Sequence, residues 1–167
     1  MRWLRAPTLL ADPNYALAGQ VVTTDEYVGS HGGVGICFET GQAGDTAILD
    51  AVHRSCLDVL ALEYGMIGKE GASTDPGELP RERYDMKEVF KLSDKGFKWA
   101  KGVGEENFGY IPRCNVIGYI GTDEFKVDYD SYMIFPKVES LWRQGGPLGW
   151  LAEKVDIDND DQLTPKL

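Results

Sequence analysis

The stretch VGICFETGQAGDT, residues 34–46, alternates apolar and small side chains before it reaches a carboxylate. Val34, Ile36 and Phe38 recur with the two-residue period of a β-strand, and Glu39 follows at once. The pattern predicts a strand that ends at Phe38 and a turn that leads into a helix. Glu39 would then stand at the carboxyl end of a strand, where α/β proteins place reactive groups.

A long helix is predicted directly after this turn. Asp45 is a suitable N-cap for a helix that begins at Thr46, and no Gly or Pro interrupts the chain before Gly65. Apolar side chains recur at helical spacing, at Ile48, Val52, Cys56, Val59 and Leu60, with Leu49, Leu57 and Leu62 widening the face. A strand followed by such a helix indicates an α/β unit, which needs a parallel sheet and covering helices.

The chain changes character on both sides of this unit. Upstream, Val21 and Val22 form one further candidate strand, and TDEYVGSHGG, residues 24–33, is predicted to be a loop. Downstream, residues 68–80 concentrate Gly, Pro, Ser and acidic side chains, which is typical of a linker. Beyond the linker, short runs rich in Val, Ile, Phe, Tyr and Trp are separated by Gly and Pro: EVFKLS, GFKWAKG, GYIP, NVIGYIG, EFKVDYDSYMIFP and GWLAEKV.

These patterns predict a fold of class α/β followed by a small all-β domain. Residues 1–67 would form the C-terminal, strand–helix part of an α/β domain, and residues 68–80 the linker. Residues 81–155 would form the β domain and residues 156–167 an acidic tail. A chain of 167 residues is long enough for one ordinary domain or two small ones.

Charge and hydropathy exclude several classes of partner. The formal net charge is −10, and nucleic acids and anionic membrane surfaces are bound through Lys and Arg, so neither is expected as a partner. No run matches a signal-peptide core or a membrane span of about 20 apolar residues, so a cytoplasmic protein is predicted. Cys37, Cys56 and Cys114 lie far apart in apolar surroundings and are predicted to be reduced, buried thiols.

Glu39 is the candidate catalytic residue. Desolvation by apolar neighbours raises the pKa of a carboxylate and makes it a better general base near neutral pH. Ile36, Cys37 and Phe38 would supply such neighbours. The alternative is a solvated glutamate at a strand end, stabilised by the nearby helix N-terminus.

The sequence predicts no metal site within the chain itself. His31 and His53 are the only histidines, and one His with one Glu does not make the three-ligand set of a catalytic zinc. The tail DIDNDDQLTPKL imitates the start of an EF-hand loop but lacks the Gly at its sixth position and the Glu at its twelfth. We therefore expect the purified chain to bind zinc no better than background.

The order of several pieces resembles the C-terminal half of the succinylglutamate desuccinylase/aspartoacylase family. These pieces are GICFETG, the helix AILDAVHRSCLDVL, and then GFKWAKG, ENFGYIP, NVIGYIG and YMIFPKVESLWRQGGPLGWL. The resemblance covers residues 20–154 and implies a zinc-dependent hydrolase that cleaves the amide bond of N-acyl amino acids. It also implies that Glu39 takes a proton from a zinc-bound water and passes it to the departing amine.

The chain departs from the family pattern upstream of Glu39. The family's His-x-x-Glu zinc motif is absent, the later His has no counterpart, and the substrate-binding Arg and Asn residues lie in the missing region. We expect a piece of a longer protein in preference to a shortened, inactive relative. The rival class is a noncatalytic binding or scaffold module; a lipoyl-type or biotinyl-type carrier is disfavoured, because RCNVIGYIGTDE lacks the modified Lys. Self-association through the apolar helix is also predicted.

Overall fold

The structure, a computed structural model, describes residues 6–12, 23–33, 35–39, 44, 46–72, 82–93 and 95–156. The chain divides into two units. The first unit comprises residues 1–9, 23–81 and 157–167, and the second comprises residues 10–22 and 82–156.

The second unit is built on two sheets. The strands are β1 (Thr8–Ala11), β2 (Glu82–Lys91), β3 (Phe97–Trp99), β4 (Gly109–Ile111), β5 (Val116–Ile120), β6 (Asp123–Lys126), β7 (Ser131–Ile134) and β8 (Pro147–Val155). One sheet has the order β1-β2-β8-β7-β4 and the other the order β3-β5-β6. The pairs β2 with β8, β8 with β7, β7 with β4, and β5 with both its neighbours are antiparallel.

The core of this unit lies on both faces of the five-stranded sheet. On one face Met133 and Leu151 pack with Ile117 and Val127, which come from the smaller sheet and the segment that follows it. On the other face Ile134, Trp150 and Ala152 pack with Tyr84 and Met86, and Leu10 of β1 lies against them. This alternation along β7 and β8 is the two-residue period of strands whose two faces are both covered.

The short apolar runs of residues 81–155 form strands as predicted, except that β2 begins earlier. The run EVFKLS was expected to start the first strand at Glu88, whereas β2 starts at Glu82. The register shifts between Met86 and Glu88, so Lys87 is an extra residue in the strand. This bulge breaks the alternation of buried and exposed residues and hides the first half of β2 from a periodicity argument.

Among the described residues, the first unit contains two α-helices, and its residues Thr8 and Leu9 belong to strand β1. Helix α1 (Thr24–Ser30) occupies residues predicted to be a loop, so that prediction was wrong. The Glu26 carboxylate accepts the backbone N–H of Thr23 at 2.9 Å, the pairing expected in a Thr-x-x-Glu capping box. That hydrogen bond satisfies a donor that the first helical turn leaves unpaired.

Helix α2 (Leu49–Asp58) begins three residues after the predicted start and continues as a π-helical turn, Val59–Glu63. Its predicted N-cap, Asp45, lies outside the described residues. Gly65 ends the helix as predicted, with φ +60°, a conformation that glycine adopts without strain. No helix within the described residues is long and apolar enough to cross a membrane.

The strand predicted at residues 34–38 is not present in the described part of this segment. Residues 35–39 have irregular backbone, and residues 46–72 and 23–33 contain no strand that could pair with them. A strand without a partner leaves its backbone N–H and C=O groups unpaired. Val34 and the further candidate strand at Val21–Val22 lie outside the described residues, as do most of the linker and of the tail.

Candidate functional site

The segment that carries Glu39 lies against the start of helix α1. A Cβ atom added to Gly35 would lie 2.0 Å from the backbone oxygen of Asp25, so the two backbones approach more closely than any other residue at position 35 would permit. Gly33 is similarly close to the Val28 side chain. The glycines therefore let Gly33 and residues 35–39 lie close to α1.

Cys37 and Glu39 form a hydrogen-bonded pair. The Cys37 thiol donates to Oε1 of Glu39 over 3.6 Å, which lies within the range for sulfur. Only Phe38 separates these two residues along the chain, which keeps their side chains within reach of one another. Desolvation raises the pKa of the Cys37 thiol, and the hydrogen bond to Glu39, the charge of Glu39 and the charge of Asp25 raise it further.

The surroundings of Glu39 are those of the solvated alternative, not those of a carboxylate desolvated by apolar neighbours. The Glu39 side chain is exposed, Ile36 is 42% exposed, and Cys37 is also exposed. The apolar desolvation expected from the sequence is therefore not found among the described neighbours. Solvent and a small molecule can reach the carboxylate, whose oxygens can accept hydrogen bonds or a proton. The catalytic assignment of Glu39 stays a prediction.

The cysteines were predicted to be buried, and this was wrong. Cys37, Cys56 and Cys114 are all exposed, and all are free thiols. Helix α2 turns a partly polar side inward: Ser55 and Asp58 are 0% and 1% exposed. Hydrophobic periodicity could not find this, because Cys56 fits the apolar stripe better than its buried neighbour Ser55.

The two histidines do not share a site with Glu39. His31 ends helix α1, where its Nδ1 atom lies 2.8 Å from the backbone oxygen of Tyr27 and its ring is 4.2 Å from the Tyr27 ring. His53 is exposed on helix α2. In the described ranges, no group of three His, Cys, Asp or Glu side chains is arranged to hold a metal ion. The described residues thus do not fit a catalytic zinc.

The chain is similar in fold to a solved protein structure. It is similar to succinylglutamate desuccinylase from Vibrio parahaemolyticus, with a TM-score of 0.60 and 17% identity, covering 93% of this chain and 44% of that protein. A second similarity is to succinylglutamate desuccinylase from Vibrio cholerae, with a TM-score of 0.47 and 17% identity over 77% of this chain and 35% of that one. No family model and no curated protein matches the chain.

The similarity to the Vibrio parahaemolyticus protein confirms the resemblance inferred from the sequence, as a likeness of fold. The described residues of this chain form two sheets and few helices. The chain spans less than half the length of that protein.

Proposed function

We propose that this chain is the C-terminal part of a deacylase that hydrolyses the amide bond of an N-acyl amino acid, such as N-succinylglutamate or N-acetylaspartate. The observation that carries the proposal is the fold likeness to a succinylglutamate desuccinylase over 93% of the chain. The order of sequence motifs from GICFETG to YMIFPKVESLWRQGGPLGWL supports it independently.

Glu39 is the proposed general base and acid. It accepts a proton from the attacking water as the oxygen adds to the acyl carbon, and it returns that proton to the nitrogen as the C–N bond breaks. The products are a free carboxylic acid and a free amino acid. A carboxylate that solvent and substrate can reach is suited to both transfers.

Zinc belongs to the complete family member in this proposal. The described residues of this chain do not supply its ligands. We therefore assign no step to the metal in this chain. The cytoplasmic location and a homo-oligomeric state complete the proposal.

A noncatalytic binding or scaffold module is the second candidate. It is favoured by the exposure of Glu39 on irregular backbone without a described ligand set. The two candidates differ in one measurable property, turnover.

Release of amino acid from N-succinylglutamate and N-acetylaspartate tests the proposal. The assay uses the polypeptide encoded by the complete gene, loaded with zinc, and this chain alone in parallel. We expect hydrolysis of one of these substrates by the complete polypeptide. A folded, zinc-loaded polypeptide that hydrolyses neither would favour the scaffold role.

A further inference from the structure

A groove of about 540 Å³ lies at one end of the five-stranded sheet, within the second unit. It opens where β4 and β8 end and β7 begins. Its lining includes Tyr110, Tyr132 and Lys154 on the strands, and Arg113, Asp128 and Asp130 on the segments that flank them. Tyr129 and Glu153 complete the lining, so the groove combines three tyrosine rings with charges of both signs.

Asp130 fixes one wall of the groove. Its Oδ1 atom accepts the hydroxyl of Tyr110 at 2.9 Å and the backbone N–H of Arg113 at 2.9 Å. The backbone N–H of Arg113, the Tyr110 hydroxyl and the charge of Arg113 lower the pKa of Asp130, so this carboxylate is ionised and engaged at neutral pH. It therefore positions its neighbours and is not free to bind a ligand cation with the atom that holds them.

The backbone on either side of the groove is fixed as well. Cys114 donates its N–H to the oxygen of Val127 at 2.8 Å, and Val127 donates to the oxygen of Asn115 at 3.3 Å. The turn that carries Arg113 is thus joined to the segment that carries Asp128. A ligand that bridges these two side chains would not have to order the backbone first, which favours binding.

Apart from Asp130, whose Oδ1 atom is already engaged, the charged side chains of the groove that form no ion pair among the described residues are one cation and one anion. Lys154 is paired with Glu82 at 2.5 Å, and Glu153 at the groove wall is paired with Lys87 at 2.7 Å. Among the residues that the structure describes, Arg113 and Asp128 have no ion-pair partner. A dianion would meet three carboxylates here, and a simple cation would meet Arg113 and Lys154, so a ligand that carries both charges suits the groove best.

We propose that this groove binds a free α-amino acid as its zwitterion. The carboxylate lies on the Arg113 guanidinium, whose paired N–H groups match it, and the ammonium group lies on Asp128. The ligand's side chain lies against the rings of Tyr110 and Tyr132, whose centroids are 5.3 Å apart. This site is separate in chain position from Glu39, and its ligand belongs to the class of product that the proposed deacylase releases.

The test is a titration of the full chain, labelled with ¹⁵N, with L-glutamate and separately with N-acetyl-L-glutamate. We expect saturable shifts in the amide signals of residues 110, 111, 113 and 128–132 with L-glutamate. The acetylated probe lacks the ammonium group and should bind about tenfold more weakly or worse. Equal binding of both probes, or no saturable shift at these residues, would overturn the proposal.

Single substitutions test whether Arg113 binds the carboxylate of the ligand and Asp128 binds its ammonium group. Arg113→Gln and Asp128→Asn should each weaken L-glutamate binding by about tenfold. Lys126→Gln and Asp123→Asn, matched charge losses at exposed positions outside the groove, should leave it unchanged. Equal losses in both sets, or none in the first, would contradict the assignment.

Hydrolysis plays no part in this readout, so the two proposals fail separately. Glu39→Gln should bind L-glutamate as the parent does. Binding that disappears with Glu39→Gln and persists with Arg113→Gln would place the amino acid near Glu39 and overturn the groove site.

Discussion

The two units of the molecule differ in how their apolar side chains are covered. In the second unit Met133 and Leu151 are each 1% exposed, because they lie between the five-stranded sheet that carries them and the smaller sheet with the segment that follows it. Within the described residues of the first unit, Ala61 is the only apolar side chain buried to this extent. Leu57 on helix α2 is 38% exposed and Met66 beyond it 71%.

This difference indicates that the second unit contains its own core, whereas helix α2 leaves apolar side chains exposed among the described residues. Helices of α/β domains are normally covered on their apolar side, and exposed apolar patches mark interaction sites.

Truncating one leucine in each unit should show the largest contrast in the free energy of unfolding. Leu151→Ala leaves a cavity between the sheets and should lower the free energy of unfolding by about 2–5 kcal/mol. Leu57→Ala removes a side chain that is already partly in solvent and should change it by less than about 0.5 kcal/mol. Urea unfolding measures both. Equal losses would mean that helix α2 has a core of its own.

Gly35→Ala tests the contact between the Glu39 segment and helix α1. The new Cβ would lie 2.0 Å from backbone of Asp25, and overpacking of this kind costs about 1–3 kcal/mol. Faster amide hydrogen exchange in residues 24–30 should report it. The matched control is Gly29→Ala within α1, where nothing lies within 4 Å, and which should slow exchange. The same response from both variants would contradict the close approach.

Self-association should depend on the exposed side of helix α2. Leu57 and Ile67 line a small apolar recess beside Arg54. Leu57→Arg should weaken dimerisation by about tenfold, equivalent to about 1.4 kcal/mol. Leu141→Arg, a matched change at a position 58% exposed in the second unit, should have no effect. Light scattering at micromolar concentration decides this, and a monomeric parent protein would refute the expectation.

The smallest expected effect concerns the Cys37 thiol. Glu39 raises the thiol pKa by accepting its hydrogen bond and by its charge, so Glu39→Gln should lower that pKa. The rise of alkylation rate with pH should therefore move to lower pH. Iodoacetamide kinetics in a Cys56→Ser, Cys114→Ser background isolate Cys37. Asp25→Asn should produce a smaller shift in the same direction, and an unchanged profile in Glu39→Gln would show that the pair does not form.

The sequence pattern predicted most strands of the second unit correctly and the backbone around Glu39 incorrectly. The reasons are physical. Strands β3 to β8 were found because each is a short run of β-branched and aromatic residues between Gly or Pro, a signal that the run itself contains. The apolar alternation around Ile36 had the same signal, but a strand also needs a partner, which periodicity does not report. Helix α1 was missed because Gly29 within it and Gly32 and Gly33 after it are typical of a loop. This signal was given more weight than the capping pair of Thr23 and Glu26.

The candidate site shows the same limit. The sequence identified Glu39 through its position in a motif, and its hydrogen bond with Cys37 could have been anticipated from their spacing of two residues. The burial of Ser55 and Asp58 could not be anticipated in this way. A helical sequence pattern reports only which residues share a face, and the surroundings of the helix decide which face is buried. Arg113 and Asp128 line the same groove because a backbone hydrogen bond from Cys114 to Val127 joins their two segments. Such a long-range contact is not visible in a local sequence pattern.

The most direct test of the central claim is the turnover of Glu39→Gln in the complete, zinc-loaded polypeptide. Glutamine keeps the shape of the side chain but cannot accept the proton, and loss of a general base lowers the rate by about 10² to 10⁴. We expect the upper part of that range, because the same group also protonates the amine, with folding and zinc content unchanged. Glu70→Gln, an exposed control in the same unit, should turn over as the parent does. Turnover of Glu39→Gln within a few-fold of the parent would contradict the account.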